Sequence, residues 1–238
     1  MKRALATKPH GPTPRDEAEL LDRARALEDV PLAHIAALLG EPPPSTSART
    51  KGKAGELVER ALGATGGSAA THDFPGLGVE LKTIPLGPSG RPRESTFVCT
   101  LPLAAADRAR WSDSWARRKL SAVLWVPLLD APRSAGNEGD PTWPRVGRAV
   151  LWRPTAEQEA ALAADFDEIV GLIGSGSIEA LSARVGRWLQ ARPKAAHGRV
   201  RTAAFGPDDE RIAALPRGFY LRARFTGAIL RDPSALPR

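Results

Sequence analysis

Asp73–Pro85 reads DFPGLGVELKTIP: an acid, a glycine-containing turn, then a short apolar run broken by Glu80 and Lys82. Residues two apart on a strand point to one face, so Glu80 and Lys82 project together while Val79 and Leu81 turn toward a core. A carboxylate beside an ammonium, with Asp73 within reach across the turn, can hold a divalent cation. The same pattern also describes a half-buried edge strand with a solvated polar face. What surrounds the stretch decides between the two.

The chain of 238 residues is long enough for one large domain or two packed lobes, and 42% hydrophobic content fits a globular protein. Lys and Arg number 34 against 27 Asp and Glu, a net charge of +7, with a pI near 10.2. Such a surplus suits a polyanionic partner, because cations that neutralise phosphates release condensed counterions. The single cysteine, Cys99, excludes an internal disulfide and a cysteine-based zinc cluster. No apolar run approaches membrane-spanning length, and the start, MKRALATKPHGPTPRD, has no signal-peptide core. A cytoplasmic protein is expected, with residues 1–14 as a disordered basic leader.

Outward from the central stretch, RDEAELLDRARAL (15–27) and LAHIAALLG (32–40) have helical periodicity, and EPPPSTSART (41–50) reads as a linker. KGKAGELVERALGA (51–64) is helical, with Glu56 and Glu59 on one side. STFVCTLPL (95–103) is the expected antiparallel partner of the central strand. A buried strand is expected within RKLSAVLWVPLL (118–129), a surface loop over 131–146, and another strand in VGRAVLW (146–152). Thr155 should cap a helix through AEQEAALAADFDEIVGLI, followed by a second helix from about Ser177 to Leu189. Pro193 should break the basic segment that follows, and a strand near Gly218–Arg224 leads to a short terminal helix. The order of elements implies a mixed α/β (α+β) fold with a small central sheet flanked by helices.

Asp73, Glu80 and Lys82 together match the D…ExK pattern of the PD-(D/E)XK nucleases. Mg²⁺ is a hard cation that takes carboxylate oxygens and keeps several waters, so Asp73, Glu80 and the Leu81 carbonyl form a suitable ligand set. Glu59 can add a further carboxylate from the preceding helix. Lys82 can position an attacking water whose pKa the metal lowers. On its own, the short pattern is weak.

Longer blocks carry more weight. KGKAGELVERALGATGGSAATHDFPGLGVELKTIP, GRPRESTFVC, RRKLSAVLWVP, ARPKAA and LPRGFYL, in that order, resemble the MutH family of mismatch-repair endonucleases, which includes restriction enzymes cutting the same GATC sequence. The resemblance runs from about Glu17 to Leu230. It implies a restriction-endonuclease-like fold whose two lobes, about 15–130 and 146–230 of a single 15–230 domain, form a DNA cleft, with 231–238 as a tail. It implies Glu59, Asp73 and Glu80 as the acidic residues of the site, Lys82 as the lysine of ExK, and Lys119 as a second active-site lysine.

Base reading is implied for Arg192 and Lys194 of ARPKAA and for Tyr220 of GFY, the last beside the adenine whose methylation is sensed. Lys51 and Phe97 correspond to further DNA contacts. Without the resemblance, Arg192 and Lys194 are an ordinary basic loop and Tyr220 a core aromatic. The segments around 131–146 and 197–210 depart from the family pattern, which bears on fine sequence preference.

The expectation is therefore a monomeric endonuclease using Mg²⁺, with Mn²⁺ as a substitute, that nicks the unmethylated strand of hemimethylated or unmethylated double-stranded DNA at GATC after activation by MutL. One rival is a GATC restriction enzyme cutting both strands, although relatives of that kind carry a duplicated domain that is missing here. The other is a DNA-binding module without catalysis.

Overall fold

The computed structural model describes residues 11–42, 51–66, 71–130, 143–182, 184–194 and 199–236. Helices α1 (Glu17–Ala26), α2 (Leu32–Leu38) and α3 (Lys51–Leu62) precede strands β1 (Glu80–Pro85) and β2 (Thr96–Thr100). Helix α4 (Trp115–Leu120) leads into β3 (Val123–Leu129), β4 (Arg145–Val146) and β5 (Val150–Trp152). Then come α5 (Ala156–Gly174), β6 (Leu189–Pro193), β7 (Thr202–Phe205), β8 (Arg211–Ala214), β9 (Arg217–Leu221) and α6 (Ala223–Arg231). The fold is mixed α/β, as expected, but the strands are shared among three sheets rather than one.

The chain divides into two compact units, and neither is continuous in sequence. The first comprises Met1–Gly90 and Leu124–Leu151, the second Arg91–Val123 and Trp152–Arg238. Phe97 and Lys119 therefore belong to the second unit.

In the first unit β3 pairs with β1, β4 and β5. Val123 to Leu128 are all buried, the continuous apolar run of a strand covered on both faces. Helix α3 packs on β1 and also contacts α1 and α2. Gly55 makes the approach to β1 close: a Cβ there would stand 3.4 Å from Thr83 Oγ1. Gly11, expected within the leader, donates its N–H to the Arg60 carbonyl at 3.1 Å, so Gly11–Pro14 lie against the end of α3. Residues 1–10, most of the linker, and positions 131–142 of the expected surface loop lie outside the described residues.

In the second unit β9 is the middle strand of the sheet β2-β9-β6, and both neighbours are antiparallel. This corrects the expected pairing of Ser95–Leu103 with the central strand: β2 pairs with β9, and Phe97 stands opposite Tyr220. Sequence proximity favoured the nearer strand, whereas the sheet is closed by a partner more than a hundred residues away. Gly218 shows why the distant pairing fits, since a Cβ there would lie 2.7 Å from the Phe97 ring.

The core face of this sheet carries Phe219, Leu221, Leu189 and Cys99, all buried, and Phe166 of α5 stacks on Phe219 at 5.1 Å. Helix α5 begins with the expected Thr155 cap, which forms a full capping box with Gln158. The described residues of Ser177–Leu189 do not form the expected helix. They hold a 3-10 turn at Ile178–Ala180, non-helical backbone over 184–188 and the start of β6 at Leu189. The cause is Asp165, a buried acid on the core face of α5, whose carboxylate accepts the N–H groups of Arg187 and Trp188 at 2.6 Å and Leu189 at 2.8 Å. Three consecutive donors captured this way cannot enter a helical ladder. Pro193 ends β6, an edge strand, where its missing N–H costs nothing.

Candidate active site

Asp73 is held by a narrow turn. Phe74 and Val79 form an antiparallel bridge, with the Phe74 N–H donating to the Val79 carbonyl at 2.9 Å. The chain reverses within four residues, and Gly78 supplies the left-handed conformation at φ +64°. Gly76 has open space around the position of a Cβ and no positive φ, so the turn does not require a glycine there. The glycine that is needed is Gly66: a Cβ there would lie 1.8 Å from the His72 carbonyl oxygen. That close contact lets Thr65 and Gly66 donate to the Asp73 carbonyl at 2.9 and 3.0 Å.

The reversal brings the Asp73 carboxylate over β1, where it accepts the Leu81 N–H at 2.8 Å. Glu80 is 2% exposed, as buried as Leu81, so the strand is not a solvated edge. A buried carboxylate requires a partner, and Lys82 Nζ supplies one at 2.6 Å from Glu80 Oε1. Glu59, on the side of α3 that packs on β1, completes the group. A Cβ at Gly55 would stand 3.7 Å from its Oε1.

The electrostatics of the group are lopsided. Burial pushes the Glu59 carboxyl up to about 7, and the Asp73 carboxylate adds to the rise while Lys82 opposes it. Three carboxylates against one ammonium leave an excess of negative charge in a poorly solvated place. Among the described residues, no set of three His, Cys, Asp or Glu side chains is drawn together closely enough to cage a metal ion. Mg²⁺ does not need such a cage, since it is ordinarily held by one or two carboxylates and keeps its waters. The oxygen-only donors and the uncompensated charge suit a hard divalent cation.

Glu59 gives a sign to the pH dependence of stability. Its folded pKa lies above the unfolded value, so the folded state holds the proton more tightly. Stability is full below about 4.5 and falls as pH rises toward about 7. Glu59→Gln should remove this slope, and in chelator the variant should melt above the parent at pH 8. Thermal denaturation from pH 5 to 8 measures it, and parallel curves for the two proteins would refute the assignment.

The second unit places four more of the predicted residues together. Phe97 and Tyr220 meet edge to face at 5.3 Å. The Arg192 guanidinium lies 5.7 Å from the Tyr220 ring centre and Lys194 Nζ 4.3 Å from that of Phe97. Both cations are exposed and both rings half-buried. Gln190, opposite Tyr220 in register, donates to Ser95 Oγ at 2.7 Å and fixes the same face. Burial raises the Tyr220 hydroxyl pKa, and Arg192 opposes the rise. Cations seated on aromatic rings on one sheet face are equipped to meet stacked or hydrogen-bonding bases.

Lys119 sits in the last turn of α4 at 8% exposure, its Nζ 5.1 Å from the Trp115 ring centre. It is a buried helical lysine, not the solvated strand-edge residue its sequence context allows. Lys51 is the first residue of α3, and its side chain lies outside the described residues.

The family model for the DNA mismatch repair enzyme MutH matches residues 62–165. The DNA mismatch repair protein MutH of Escherichia coli is 44% identical over 221 residues, covering 91% of this chain and 93% of that protein. Identity over nine-tenths of both chains decides the matter. The chain belongs to the MutH family. The MutH proteins of Klebsiella pneumoniae (44% over 229 residues; 94% of this chain, 95% of the relative) and Shewanella amazonensis (45% over 223; 92% and 96%) agree. The likeness to MutH spans both units. Among the described residues, no helix is long and apolar enough to cross a membrane.

Two features were missed in the sequence. Asp165 follows Leu162 and precedes Phe166 and Ile169 on the apolar stripe of α5, and an acid in a core register was the available signal. Gly66 was hidden in the run GATGGSAAT (63–71), whose composition gives no sign of a close backbone approach.

Proposed function

We propose that the chain is a Mg²⁺-dependent endonuclease that hydrolyses the phosphodiester 5′ to the guanine of GATC on an unmethylated strand, in mismatch repair and under activation by MutL. The observation that carries this reading is the group Glu59, Asp73, Glu80 and Lys82: three carboxylates and one ammonium gathered by α3, a tight turn and β1. Asp73, Glu80 and the Leu81 carbonyl would hold the ion, with Glu59 beside them. Bound Mg²⁺, or Mn²⁺ in its place, lowers the pKa of a coordinated water and offsets charge on the scissile phosphate.

The protein's own groups do the positioning. The Leu81 N–H fixes the Asp73 carboxylate, and Lys82 holds Glu80 while offering its remaining ammonium protons to orient a water. Lys119, the second lysine, is assigned to the scissile phosphate, where a cation stabilises developing charge. Phe97, Arg192, Lys194 and Tyr220 read the site, with Arg192 suited to bidentate contact with guanine and Tyr220 to sensing adenine methylation. Lys51 contributes a phosphate contact. The enzyme acts as a cytoplasmic monomer.

The test is nicking of plasmids carrying unmethylated, hemimethylated or fully methylated GATC, with and without MutL and Mg²⁺. The expected product is a nick on the unmethylated strand, stimulated by MutL and lost in chelator. Double-strand cleavage independent of MutL would identify a restriction enzyme, and a flat Mg²⁺ titration a non-catalytic DNA-binding module.

A further inference from the structure

The second unit holds a concavity of about 1060 Å³ that the base-reading cluster does not account for. Its rim and walls carry six arginines: Arg184, Arg187, Arg192, Arg217, Arg222 and Arg224. The acids in its lining are committed to the backbone. Asp165 receives the N–H groups of residues 187 to 189, and Glu168 Oε2 that of Gly186 at 3.1 Å.

Part of the arginine content has a structural use. Arg222 donates to the Gly186 carbonyl at 2.7 Å and to that of Val185 at 3.2 Å, which ties the loop to the start of α6. Arg187 and Arg224 pack over the buried Trp188 ring at 4.9 and 4.6 Å from its centre. Arg192 lies over the Tyr220 ring, and no such packing ties down Arg184 or Arg217 among the described residues. Arg184 is exposed, and the Nε of Arg217 makes no hydrogen bond within the described residues. Like charges gathered around one hollow repel one another, and burial together with the neighbouring Arg224 lowers the pKa of the Arg222 guanidinium, with Asp165 opposing the shift.

We infer that this concavity receives the phosphate backbone of duplex DNA outside the recognition sequence. Resting on the nuclease reading, it extends the contact made by Arg192, which borders both the Tyr220 face and the hollow. Guanidinium forks match phosphate oxygens bidentately. A concave wall carrying several arginines, two of them anchored to backbone carbonyls, can engage a regular line of phosphates without selecting bases. An acidic polypeptide is the competing occupant.

The experiment compares two GATC duplexes in chelator, one about a single helical turn long (roughly 10 base pairs) and one about two and a half turns. The proteins are the parent and Arg184→Ala/Arg187→Ala. The variant should bind the short duplex like the parent and the long one about tenfold more weakly. Its slope of log affinity against log salt should fall by about 1.8, the share of two phosphate contacts. Nicking at saturating DNA should be unchanged. Arg184→Glu, at an exposed position away from Trp188, serves as a second variant should the first melt early. Equal binding of the long duplex by parent and both variants, with an unchanged salt slope, overturns the proposal and points to the acidic polypeptide. A parent that binds neither duplex overturns the nuclease reading as well, and the two failures are thus distinguishable.

Discussion

Asp73→Asn is expected to lower single-turnover nicking by at least about 100-fold, the scale of losing one preorganised electrostatic group, with folding and DNA binding left intact. The substitution separates position from charge. Its amide oxygen can still accept the Leu81 N–H now bonded at 2.8 Å, so the turn over β1 keeps its geometry. What disappears is the negative charge that would help hold a cation and that raises the Glu59 carboxyl. An unchanged melting temperature beside lost activity assigns Asp73 to chemistry. Robust cleavage by Asp73→Asn or Glu80→Ala in Mg²⁺ would sink the site assignment. Lys82→Ala should lose activity too, but also melt lower, because Glu80 is buried and its ammonium partner at 2.6 Å would be gone. The contrast between Asp73→Asn and Lys82→Ala follows from burial and is not expected from the ExK pattern alone.

The parts legible in the sequence are those where local rules and tertiary structure agree. Thr155 begins α5 because its hydroxyl and the Gln158 side chain satisfy the first turn reciprocally, and both residues can be read in order. Asp73, the turn and Glu80 fall close together in the chain, so a short pattern captures that half of the site. Glu59 is readable as a carboxylate on the preceding helix, and the family resemblance gives it weight over Glu56; its physical basis is Gly55, one helical turn earlier, which lets α3 approach Thr83. The misread elements depend on distant partners. Phe97 pairs with Tyr220, and Asp165 pulls residues 187–189 out of a helix that their own composition tolerates. Lys119 sits in the run before β3, and only the packing of α4 reveals that it is buried against Trp115. For Phe97 and for residues 187–189 the deciding group lies outside any window that periodicity can span, whereas Lys119 required α4 itself to be recognised as a helix that sets Trp115 one turn away.

Arg60→Met is expected to destabilise the first unit by about 3–5 kcal/mol, the scale for breaking a buried ion pair. Arg60 and Glu41 are 4% and 6% exposed, and their side chains meet directly. Lys53 takes the other Glu41 oxygen and bridges to Glu56 at 2.9 Å. Glu41 follows the C-terminal end of α2, where Gly40 turns at φ +67°, so the clasp fastens that end to α3. Removing Arg60 takes away the buried partner of the Glu41 carboxylate, and Lys53, which also meets it, is partly exposed. For a chain of this size the melting temperature should fall by roughly 10 °C. The double variant Glu41→Gln/Arg60→Met should recover most of the loss, because the uncompensated carboxylate is then gone, whereas Lys53→Ala alone should cost less than Arg60→Met. Glu59 is the residue before Arg60 on α3, so nicking by Arg60→Met should decline before global unfolding as temperature rises. A variant that melts like the parent, or a double variant no better than the single, would show that the clasp does not hold α3.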